Sequence, residues 1–176
     1  MKPQEKNTNI NTERNNPDHK IPYLILIFPV IMASLFTFSC DKNAVFDKNT
    51  AIQHHLWNYK DTLSYYVNIA DTSRVHNIYL NIRNSENYQY SNVFLFVSTY
   101  APNGSFLKDT FEIKLADQSG RWFGKGVGNV FSLQVPYKMQ IKFPYQGIYL
   151  FEIQHAMRKK DLKGIADVGL RVEKAR

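Results

Sequence analysis

Apolar residues fall into two unlike patterns along this chain. From Tyr23 to Cys40, YLILIFPVIMASLFTFSC, they form one uncharged block that ends at the single cysteine and is followed at once by Asp41. From Thr62 onward they alternate with polar residues, the period of a strand with one buried face. Leu63, Tyr65, Val67 and Ile69 make the first alternating set, and Ile78, Leu80 and Ile82 the second. Phe111, Ile113 and Leu115 make a third, with Glu112 and Lys114 between them. Val93–Tyr100 (VFLFVSTY) and the first residues of Ile148–Ala156 are nearly continuous instead, which predicts strands covered on both faces. Leu133–Phe143 contains Pro136, which has no N–H to give to a sheet ladder and so predicts an edge strand. Val168, Leu170 and Val172 predict a last strand.

Turn chemistry separates these runs. Asp71-Thr72-Ser73, Pro102-Asn103-Gly104, Asp117-Gln118-Ser119-Gly120 and Pro144-Tyr145-Gln146-Gly147 all combine residues that fix or free φ. About eight short strands with frequent turns and no long helical period predict an all-β fold. The expected architecture is an antiparallel β-sandwich, jelly-roll or immunoglobulin-like, preceded by a signal segment. The domain boundaries read as a signal peptide with an extended polar amino-terminal stretch over 1–39, a lipidated tether over 40–50, and the sandwich over 51–176. Trp57 belongs to the core, with His54 and His55 as a surface pair beside it.

The apolar block decides the compartment. The uncharged run Ile21–Phe38 is short for a membrane span, contains Pro22 and Pro29, and is preceded by a weakly basic stretch. A lone cysteine directly after such a block, with Ser39 before it, resembles the acceptor cysteine of a bacterial lipoprotein signal. Thr37 and Phe38 depart from the usual residues of that signal. An uncleaved anchor and a buried helix are the alternatives. On the lipoprotein reading Cys40 carries the acyl chains that hold the protein to a membrane, and the folded part faces the periplasm.

Charge and motif content narrow the chemistry. The chain carries 22 Lys and Arg against 15 Asp and Glu, a net +7, with the basic residues scattered. That suits an anionic surface or acidic partner and not nucleic acid, from which export would separate it. With no cysteine beyond Cys40 the domain has no disulfide and no thiolate metal site. There is no nucleophile elbow, no HExxH and no EF-hand loop, and Gly124-Lys125-Gly126-Val127-Gly128 lacks the G-K-[ST] ending of a phosphate loop. His76 and His155 stand alone. No catalytic residue, metal or cofactor is expected, and no small-molecule ligand; the protein reads as a non-enzyme. Exposed aromatic and arginine groups anchor interfaces, so Arg121 and Trp122, and the basic group Arg158, Lys159 and Lys160, are the candidate partner contacts.

Several blocks together resemble the gliding-motility lipoprotein H family, GldH. They are Asp109-Thr110-Phe111-Glu112, Leu115-Ala116-Asp117, Gly120-Arg121-Trp122, Gly124-Lys125-Gly126, Met157-Arg158 and Leu162–Leu170. The resemblance implies a membrane-anchored envelope component required for surface gliding, working beside other gliding and secretion proteins and without catalytic residues. A carbohydrate-binding sandwich is the competing reading, since such folds use exposed aromatics and this chain has 11 Tyr, 12 Phe and 2 Trp.

Overall fold

A computed structural model of the chain describes residues 41–175. Its strands are β1 (Ala44–Ala51), β2 (Leu56–Asn58), β3 (Leu63–Ile69), β4 (His76–Ser85), β5 (Asn92–Tyr100) and β6 (Phe106–Lys114). They continue with β7 (Lys125–Val127), β8 (Val130–Ile141), β9 (Gly147–His155), β10 (Asp161–Lys163) and β11 (Ile165–Lys174). Sheet one has the order β1-β11-β4-β8-β7, sheet two the order β3-β9-β5-β6, and β10 pairs with β2 as a small ribbon. All the pairings are antiparallel.

The three-residue strands β2, β7 and β10 are accessories. The eight others pair first with last (β1–β11), second with seventh (β3–β9), third with sixth (β4–β8) and fourth with fifth (β5–β6). This nested pairing is a jelly roll, which decides between the two sandwiches the sequence left open. The alternating residues do what their spacing predicts. Leu63, Tyr65, Val67 and Ile69 of β3, Ile78, Leu80 and Ile82 of β4, and Val168, Leu170 and Val172 of β11 all enter one core between the sheets.

Three stretches differ from expectation. Residues 44–50, within the stretch read as tether, belong to strand β1 on the edge of sheet one; an edge strand with a solvated outer face buries few side chains, so its period is faint. Its Phe46 ring nevertheless meets Tyr65 edge-on at 6.2 Å. Second, β5 and β9 are interior strands of sheet two with only one face in the core. Phe94 and Phe96 are half-buried and Ile148 is exposed on the other. Third, β7 pairs with β8 only over Val130–Ser132, so the remaining edge of β8 is free where Pro136 sits. That part of the edge-strand prediction holds.

Candidate functional site

The turn at Asp117 is locked by its own side chain. Oδ1 of Asp117 accepts from the Ser119 N–H at 2.9 Å, the Ser119 hydroxyl at 2.6 Å and the Arg121 N–H at 2.9 Å. Its Oδ2 meets Arg121 Nε at 3.1 Å, and these bonds, led by that to the Ser119 side chain, hold the carboxyl below the usual range. The chain then re-enters an extended path through the Ala116–Trp122 bridge. Alternation does the rest. Arg121 projects with its side chain 83% exposed, Trp122 turns in against the rings of Tyr88 and Phe131 at 6.5 and 5.7 Å, and Phe123 projects again, 51% exposed. Of the aromatic pair the surface carries Phe123, while Trp122 is half-buried. The sequence signal for this was the period itself, continued past the turn.

The second candidate group lies elsewhere. After β9 the segment 156–160 folds back over the outer face of sheet two, its Ala156 N–H bonded to the Phe94 carbonyl at 2.7 Å. The Phe94 N–H in turn points to Met157 Sδ at 3.4 Å. One side of this fold-back walls an open cleft of about 750 Å³. Arg158, Lys159 and Lys160 line it together with Lys60 and Lys108, which sequence spacing gave no reason to group with them. Among the described residues none of these five is in an ion pair. Lys108 Nζ stands 4.5 Å from the centre of the Phe96 ring in the cleft floor. Asp61 and Asp161, which follow Lys60 and Lys160 in the chain, accept hydrogen bonds from Asn58.

Beneath the cleft His155 is buried, its Nε2 bonded to the Trp57 carbonyl at 3.0 Å and its ring edge-on to Trp57 at 5.3 Å. His76 is equally buried, against Phe143 at 5.3 Å, and Nδ1 of both rings lacks a partner among the described residues. Burial pushes both imidazoles below their ordinary pKa of about 6.5, more than their backbone contacts raise them. Both rings pack in the core. A consequence is testable. As pH falls below about 6.5 the unfolded chain takes up protons that the folded one refuses, so stability drops with acidification. The hydrogen-bonded carboxyls of Asp71, Asp109 and Asp117 have lowered pKa values, so their contribution fades only as pH falls below about 4. Urea midpoints should therefore decline between pH 7 and 5, and His76→Phe with His155→Gln should flatten that slope. An unchanged slope would remove the histidines as its source.

Comparison with known proteins bears on the whole domain. The family described as GldH lipoprotein matches residues 44–172, from the first residue of β1 into β11. The chain belongs to this family. It is 37% identical over 158 residues to the gliding motility lipoprotein GldH homolog of Christiangramia forsetii, covering 86% of this chain and 94% of that one. It is 30% identical over 151 residues to the gliding motility lipoprotein GldH of Flavobacterium johnsoniae, covering 82% of this chain and 93% of that relative. Every strand of the jelly roll thus lies in or at the bounds of what the family shares, and both candidate surfaces fall inside it. Cys40 precedes the match and lies outside the described residues.

Proposed function

We propose that this chain is a non-catalytic lipoprotein of the cell envelope, held to a membrane by acyl chains on Cys40, facing the periplasm and serving the gliding machinery. The observation that carries the reading is how the residue after the cysteine is held. β1 begins at Ala44, and Asp41, the residue after the cysteine, is already tied to the guanidinium of Arg171 on β11. Asp47 and Glu173 bind the same guanidinium, at 2.7 and 2.8 Å, so the chain is seated from its first described residue. The residue after the cysteine is thus held by the domain, and a signal cut before Cys40 would leave every described residue in place. The names of the relatives supply gliding and lipidation. Protein partners of the gliding and secretion apparatus are assigned to the Arg121 and Phe123 turn, where an exposed guanidinium and an exposed ring stand two residues apart.

Mass spectrometry of the amino-terminal peptide of the membrane-bound protein tests this. The expected peptide starts at Cys40 and carries acyl mass, and cells bearing Cys40→Ser accumulate the unprocessed chain and fail to spread by gliding. A wild-type chain retaining its first 39 residues with an unmodified Cys40 would refute the reading.

A further inference from the structure

The outer face of sheet two is laid out in rungs of distinct chemistry. The register places Tyr66 beside Leu150, Leu150 beside Tyr100, and Tyr100 beside Phe106, so one apolar rung crosses all four strands. It is open to solvent: Tyr66 is 65% and Phe106 55% exposed, and Ile148 adjoins it one step along β9. The next rung is Ser64, Glu152, Ser98 and Lys108, polar throughout. Beyond that, Phe96 and Gln154 form the floor of the basic cleft. Along the strands the face therefore passes from rings, through hydroxyl and carboxylate acceptors, to a group of unpaired cations.

We propose that this face binds an acidic polysaccharide, a chain of sugar rings carrying uronic-acid carboxylates. Tyr66 and Tyr100 stand two strands apart, about 10 Å at ordinary strand spacing. That is close to the length of a disaccharide unit in an extended β-1,4-linked chain. Sugar rings present apolar C–H faces to aromatic side chains, and Ser64 and Glu152 offer acceptors for their hydroxyls. Lys60, Lys108 and the Arg158–Lys160 group meet the carboxylates.

Other occupants fit less well. A peptide laid on this face would bring an N–H and a C=O with every residue. The backbone groups of β9 and β5 already serve one another and their neighbours, so the peptide could gain nothing from strand addition there. Glu152 suits the hydroxyl donors that every sugar ring presents. A bilayer is disfavoured because Asp41 lies on Arg171, whose side chain belongs to the outer face of the other sheet. The chain comes into the domain on the side away from the rungs.

The inference stands independently of the gliding reading, and its test is separate. Calorimetry on the full-length protein in detergent would compare oligomannuronate, the neutral mannan oligomer of the same linkage, and polyglutamate. Oligomannuronate binding is expected to exceed both by about tenfold and to weaken with salt. Tyr66→Ser, at an exposed position that leaves the core intact, should weaken it about tenfold, the scale of one aromatic contact. Lys159→Gln with Lys160→Gln should weaken it similarly. No binding of oligomannuronate or of oligogalacturonate overturns the proposal. So does polyglutamate binding equally well while Tyr66→Ser changes nothing, for then the cleft reads charge alone.

Discussion

Trp57→Ala is expected to lower the free energy of unfolding by about 3–5 kcal/mol, the range for emptying a large aromatic site in a core. Trp57 is fully buried at 0% exposure, and its contacts run in three directions. Its indole N–H donates to the Asp61 carbonyl at 3.0 Å, closing the turn that follows β2. Its own carbonyl takes the His155 hydrogen bond, tying β2 to the end of β9. In the ribbon it pairs with Leu162 of β10, another fully buried residue. Removing the side chain opens a void and leaves the Asp61 carbonyl without that donor. A domain of this size is stable by only about 5–15 kcal/mol, so the variant should unfold at a much lower urea concentration. Lys163→Ala, a neighbouring exposed position, should stay within about 0.5 kcal/mol. Comparable losses in both variants would mean that the ribbon as a whole, and not the indole, sets the stability.

The sequence made the buried half of the fold legible because period two has one physical cause. A strand with one wet face must alternate, and β3, β4, β6 and β11 do. What it hid follows the same logic. β1 is an edge with a solvated face, so AVFDKNTA looks like a tether although it is the first partner of the last strand. The outward apolar residues of β5 and β9 look like a second buried face, yet Tyr100 and Ile148 stand in solvent, in and beside the rung described above. Period reports burial only when apolar side chains are reserved for the interior, and a binding face breaks that condition. The cleft was half legible. Arg158-Lys159-Lys160 is a visible run, but Lys60 and Lys108 join it through register and a turn, and linear spacing carries neither.

Gly169→Val is the other large effect expected, about 2–3 kcal/mol, from overpacking where no void exists. Gly169 lies in the second strand of sheet one, opposite Asn49 of β1 on one side and Asn81 of β4 on the other. A row of amides crosses the outer face here: Gln134 donates to Asn81 at 2.7 Å, and Asn81 donates to Asn49 at 3.2 Å. The last bond has to pass over β11, and it passes over the one position with no side chain. A Cβ on Gly169 would stand 1.7 Å from Asn49 Oδ1 and 2.8 Å from the Lys48 carbonyl oxygen. The amide can swing away at the loss of its hydrogen bond, whereas the carbonyl belongs to the β1–β11 ladder and cannot. Alanine should therefore be tolerated better than valine, whose branches also reach the backbone. Asn49→Ala should relieve part of the Gly169→Ala loss, with a coupling of about 0.5 kcal/mol or more in a double-mutant cycle. Additive losses would show that the glycine answers to the backbone alone, and that the amide row only follows it.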